Sequence, residues 1–142
     1  MNTKISTPYV PISWGELIDK ITILEIKKLK ITSAEARANV KKELKLLSDI
    51  VEIEKNEVAF NPLKNELADI NLQLWEVEDK IREKELNNQF DDFFIELARS
   101  VYKLNDNRAK IKKAINLLLQ SELVEEKSYQ QYKITSYGRG NV

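Results

Sequence analysis

The chain has no cysteine and no histidine among its 142 residues. Without cysteine there is no disulfide, no thiolate nucleophile and no zinc–thiolate site. Without histidine the commonest general base and metal ligand is missing, and every Ser-His-Asp or Cys-His arrangement is excluded. Chemistry would fall to carboxylates, Lys, Arg, Tyr or a bound metal. The sequence holds no glycine-rich phosphate loop, nucleophile elbow or kinase signature. We therefore assign no catalytic residue, no metal ligand and no cofactor. Glycine and proline are scarce, at three each, so little interrupts a helix. Neither sign of charge dominates: Lys+Arg and Asp+Glu are both 23, which leaves no global field to gather nucleic acid. No apolar run approaches membrane-spanning length, and the start lacks the apolar core of a signal peptide. The expectation is a cytoplasmic protein with no membrane partner, and with nucleic acid unlikely as one.

What the chain does have is apolar spacing. Phe94, Leu97, Val101, Leu104, Arg108, Ile111, Ile115 and Leu118 recur in alternating steps of three and four, a heptad seam broken once by an arginine. Leu63, Leu67, Ile70, Leu74, Val77 and Ile81 repeat the pattern unbroken. Two such helices joined by a few residues fold back as an antiparallel hairpin.

The remaining elements follow from local signals. Pro8 and Pro11 keep residues 1–12 extended. Ser13-x-x-Glu16 is a capping box opening helix 1 over 13–31. That helix is apolar around much of its circumference (Trp14, Leu17, Ile18, Ile21, Ile23, Leu24, Ile26, Leu29), which places it centrally. Thr32-x-x-Glu35 is a second capping box, and helix 2 spans 33–56 with an inner stripe of Val40, Leu44, Leu47 and Val51. Residues 57–60 read as a linker whose Phe60 plugs the core. Asn61-Pro62 reads as cap and first helical position of helix 3, over 62–86. Asn87-Asn88-Gln89 is a turn, and helix 4 covers 91–120. Ser121-Glu122 could cap a short fifth helix, before a C-terminal arm at 127–142. The reading is a single all-α domain: a bundle of two antiparallel hairpins with extended arms, with a homodimer as the expected assembly.

Four constellations are candidates for function. Arg108, level with about residues 69–73, forms a polar layer with Asn71, Asn105 and Ser100. It is a register lock, a side chain that snorkels out to solvent or, with Arg99 and Tyr102, a site for an anionic ligand such as a sugar nucleotide. Under the first reading Arg108→Leu keeps the fold and can raise its stability. Glu66, Asp69, Glu76, Asp79 and Glu83 on helix 3 could hold Mg²⁺ in a nucleotide hydrolase, but most point away from the seam, as a solvated face does. Residues 27–45 carry seven basic and two acidic side chains, without aromatics for base stacking. Lys110, Lys112 and Lys113 form a smaller group, with Glu66 and Asp69 as expected neighbours. Trp75 lies off the seam. It either packs the hairpin onto helices 1 and 2 or anchors a protein partner, with Glu78, Asp79 and Arg82 at its rim.

Several phrases also carry a resemblance: residues 11–27 (PISWGELIDKITILEIK), Leu74-Trp75-Glu76-Val77-Glu78-Asp79-Lys80-Ile81-Arg82, Phe90-Asp91-Asp92, Leu97-Ala98-Arg99-Ser100-Val101-Tyr102, Asn105-Asp106-Asn107-Arg108 and Glu125-Glu126-Lys127-Ser128-Tyr129. In these the chain resembles a family of small helical proteins of unknown function from bacteria and their phages. The resemblance implies a link to surface-polysaccharide gene clusters but no established activity. It directs attention to Trp75, Glu78, Asp79, Arg82, Arg99, Tyr102, Asn105 and Arg108. Taken together, the leading expectation is a non-enzymatic interaction or assembly protein. A binder of, or minor enzyme on, an anionic small molecule is the alternative, and a Mg²⁺-dependent hydrolase a distant third.

Overall fold

The computed structural model describes residues 4–51 and 57–132. They form four helices in chain order: α1 (Trp14–Lys30), α2 (Ala34–Ser48), α3 (Glu57–Leu86) and α4 (Asp92–Leu118). No strand occurs among the described residues.

The long α3–α4 hairpin is the frame. Asn88, with φ of 51°, turns the chain out of α3. Gln89 N–H donates to the Lys84 carbonyl at 2.9 Å and Asn88 N–H to that of Glu85 at 3.1 Å, the paired bonds that close a helix through a left-handed residue. Asp91 then caps α4 by accepting from Phe94 N–H at 3.0 Å. Lys84 ties the two ends of the turn at 2.8 Å from Asp91. The hydrogen bond from Lys84 is the largest of the effects holding the Asp91 carboxyl below its ordinary value.

α3 starts earlier than Asn61-Pro62 suggests. Residues 57–61 are helical and Pro62 sits inside the helix. The seam explains this, because Phe60 precedes Leu63 by three and continues the same spacing. Phe60 is buried in the core with Leu17, Ile18, Ile21, Leu67 and Ile115. The bond forfeited at Pro62 would have gone to the Val58 carbonyl; Val58 and Pro62 are both exposed, so water can replace it.

α1 pairs with all three other helices, whereas α2 pairs with α1 alone. α1 does not run along the hairpin but across it. Its first turns meet α4, at Asn116, Lys112 and Arg108. Its later turns meet α3, at Asn71 and Lys64. The central position expected of helix 1 follows from its apolar circumference. α2 is shorter than the spacing implies, ending at Ser48, and residues 52–56 lie outside the described residues. Its cap is Ser33, accepting from Ala36 N–H at 3.3 Å, not Thr32. Ser33 wins because the three residues after Lys30 are used as an extended connector, starting from Ile31 at φ −76°, ψ 129°.

After α4, Gln120 takes φ of 52° and Ser121 N–H donates to the Asn116 carbonyl at 2.8 Å. That closure turns the chain sharply, and no fifth helix follows through Tyr132. Ser121 instead accepts from Trp14 N–H at 3.2 Å, so it serves the start of α1. Of the C-terminal arm, only residues up to Tyr132 are described.

Candidate functional site

Where α1 crosses the hairpin, five charged groups meet. Asp19 on α1 lies between Ile18 and Ile21 and is only 1% exposed. A carboxylate there must be paired, since burying it bare costs far more than the fold can spare. Arg108 supplies the pair. Its Nε donates to Asp19 Oδ1 at 2.9 Å and its Nη2 to Asp19 Oδ2, a two-pronged grip suited to a planar guanidinium. Asn71 on α3 donates from Nδ2 to Asp19 Oδ1 and to Thr22 Oγ1, both at 2.9 Å. Thr22 in turn donates to the Asp19 carbonyl at 2.8 Å. Three helices thus close on one carboxylate.

Lys112, one turn beyond Arg108, sits on the other side. Its Nζ donates to Glu16 at 2.6 Å and to Glu125 of the C-terminal arm at 2.8 Å, and lies 4.0 Å from Asp19 Oδ2. Burial pushes Asp19 up, but Arg108, Asn71 and Lys112 outweigh it and its pKa falls below the ordinary value. Burial likewise pushes Lys112 down, and Glu125 and Glu16 reverse that, so it is raised. The hydrogen bond from Lys112 lowers Glu125. Arg108 is raised, chiefly by its hydrogen bonds to Asp19. Asp19, Arg108, Lys112 and Glu125 are each shifted toward the charged form. A carboxylate so shifted is a poor proton acceptor, and its oxygens are already occupied.

The backbone is shaped to bring α1 this close. Gly15 N–H donates to Asn116 Oδ1 at 2.6 Å, and Ser13 caps by accepting from Glu16 N–H at 3.1 Å. With Trp14 bound to Ser121, the first three N–H groups of α1, which no helix can satisfy internally, all have partners. A Cβ on Gly15 would collide with the Lys112 carbonyl oxygen, so only glycine allows this approach. The capping box is half realised: Ser13 caps, but the Glu16 carboxylate goes to Lys112.

Among the ligand-site candidates, Arg108, Asn71 and Asn105 come together, with Arg108 Nη1 3.4 Å from Asn105 Oδ1. Tyr102 lies outside the cluster, edge-on to Tyr132 of the arm at 4.9 Å between ring centres. Arg99 is exposed and paired with Glu96 on its own helix at 3.2 Å. Of the partner-site candidates, Trp75 is half-buried, Asp79 is exposed, and Glu78 and Arg82 pair along α3 at 2.7 Å. Lys112 and Lys113 take Glu16, Glu125 and Glu126 as neighbours rather than Glu66 and Asp69, because the arm and α1, not the outer face of α3, cover that side of α4. Glu66, Asp69, Glu76, Asp79 and Glu83 are all exposed, and among the described residues no three acidic groups gather as metal ligands. The carboxylates that do converge are Glu16, Asp19 and Glu125, and the Lys112 ammonium lies among them.

The residues that sequence reasoning missed are Asp19 and Glu125; Lys112 stood out only as one of a basic group. The first had a readable signal: an aspartate inside the apolar arc of a mostly buried helix requires a cation, and Arg108 was the cation inside a seam requiring an anion.

An all-α protein organised by a buried ion cluster is the class these features define. The chain belongs to the family of unknown function DUF6165, whose model matches residues 8–139. No curated protein and no solved structure matches it.

Proposed function

We propose that the protein is a non-enzymatic helical interaction module that works as a homodimer. The observation that carries this is the continuation of a single flank of the α3–α4 hairpin. α1 fills that flank at Lys64 and Asn71 on α3 and at Lys112 and Asn116 on α4. The same helical positions continue toward the turn as Trp75, Glu78 and Arg82 on α3 and Ile95 and Ala98 on α4. There Trp75 is half-buried and Ile95 is 45% exposed. Apolar residues on two helices alone leave a docking face of the kind α1 covers elsewhere. A second copy suits it because Glu78 and Arg82 lie one turn apart. Across a two-fold axis each could meet its opposite on the partner, making the face self-complementary.

Arg108 favours the same reading over an anion site, since its charge is already matched by the buried Asp19 carboxylate and three of its five N–H donors go to Asp19 and Asn105. The assembly is tested by light scattering over a range of protein concentrations. We expect a dimer in the micromolar range, converted to monomer by Ile95→Glu with helix content unchanged. A wild-type monomer at high micromolar concentration would refute the dimer.

A further inference from the structure

The C-terminal arm does more than close the ion cluster. From Glu125 onward it lies against α4, tethered by Glu125 to Lys112 at 2.8 Å and by Glu126 to Lys113 at 3.3 Å. Just past these tethers, arm and helix enclose a groove. One part, of about 540 Å³, is lined by Val101, Tyr102, Asn105 and Asp106 of α4 and by Lys127, Tyr129, Gln130 and Tyr132 of the arm. A second, of about 520 Å³, adjoins it across Asp106 and Lys127 and adds Lys103 and Lys110. Each is within the size range of small-molecule sites.

We propose that this groove binds a nucleotide, with the base against the tyrosines and the phosphate among Lys103, Lys110 and Lys127. Three aromatic rings and three ammonium groups line the two adjoining parts, which share Asp106, Lys127, Tyr129, Gln130 and Tyr132. Tyr102 and Tyr132 meet edge-to-face at 73°, and both rings stay 42% exposed. A flat heterocycle can stack on such surfaces, which are indifferent to its exact identity. Lys127 Nζ stands 5.8 Å from the Tyr129 ring centre, joining the aromatic part of the groove to its charged part. None of the three lysines lies within ion-pair distance of a carboxylate among the described residues, in contrast to Lys112 and Lys113 beside them. The groove's one acidic group, Asp106, interacts with Tyr132, and with Asn105 and Gln130 it offers acceptors for ribose hydroxyls or a base amine. Neither a base nor a phosphate alone uses both halves. A single nucleotide does, and the tethers build its site in advance. The proposal does not depend on dimerisation, and it places an anionic ligand away from Arg108, whose charge is already matched by Asp19.

The test is titration of the full chain with adenosine 5′-monophosphate and uridine 5′-monophosphate, followed by the ring resonances of the tyrosines. Adenosine and inorganic phosphate serve as half-ligands. We expect saturable shifts at Tyr102, Tyr129 and Tyr132 with at least one nucleotide, and binding of each half-ligand weaker by about tenfold or more. Lys127→Gln and Tyr129→Ser lie on the exposed arm and leave the core intact; each should weaken nucleotide binding several-fold. The proposal is overturned if neither nucleotide gives saturable shifts. It also fails if phosphate alone binds as tightly as the nucleotide, or if both variants bind like the wild type.

Discussion

The two halves of the α3–α4 hairpin share one heptad seam but bury it differently. At the open end of the hairpin, α1 lies across it, and Leu67, Ile70, Asn71, Lys112, Ile115 and Asn116 are buried there. Near the turn only two helices face each other, and of the seam residues beyond Leu74 only Leu97 is fully buried. Phe90, Phe93 and Leu86 are exposed at that end. Ion pairs follow the same division. At the crossing they join different elements around two buried groups, Asp19 and Lys112. Near the turn they are pairs such as Glu78–Arg82 and Glu96–Arg99, within one helix and open to water. A periodic apolar seam therefore does not by itself make a core: what crosses it decides which part becomes rigid.

The sharpest way to break this contrast is Arg108→Leu. On the seam alone it looks harmless or stabilising. Beside a carboxylate 1% exposed it removes the principal partner of a buried charge, and should cost about 3 kcal/mol or more in urea unfolding. The pH dependence gives a second readout. In the wild type the folded pKa of Asp19 lies below its unfolded value, so its contribution is present above about pH 4 and is lost as pH falls below that. Without Arg108 burial dominates and the folded pKa rises. The variant should then lose stability as pH increases through that raised value. A variant as stable as wild type with the same acid limb would mean that the ion pair does not organise the crossing.

Gly15→Ala comes next. The added methyl meets backbone, which cannot swing aside, and should cost about 2 kcal/mol by thermal or urea unfolding. Full stability would mean that α1 can stand further from α4 than described. The smallest effect belongs to the other half. Arg82→Ala removes an exposed i,i+4 pair and should change monomer stability by no more than about 0.5 kcal/mol. A loss comparable to that at Arg108 would erase the distinction between the two halves.

Much of this architecture is readable from spacing and caps. The seam predicts the hairpin, Ser13 the start of α1, and Asn88 the turn. Arg108 stands out as the odd residue in its seam, and its level with Asn71 follows from antiparallel geometry. What spacing cannot supply is the direction of α1, because a helix apolar on two faces can lie along a hairpin or across it. That one choice determines that Arg108 finds Asp19 rather than a neighbour within the hairpin. It likewise sends Glu16 to Lys112 instead of back to its own cap. Pro62 misleads for a related reason: a local start signal is outweighed by the burial of Phe60 on the seam it interrupts. Glu125 had no signal from spacing or caps, since it sits in a segment without periodicity.

The start of α1 is completed by residues made long after it. Trp14 and Gly15 find their acceptors in Ser121 and Asn116, 107 and 101 positions later. Helical proteins usually fold through contacts close in sequence and do so fast. Here α1 leaves the ribosome long before α4 and must wait, with Asp19 unpaired and its leading amides open, until α4 has emerged. Until then the growing chain carries an amphipathic segment without its final partner, the stage at which nascent proteins are most exposed to misassociation.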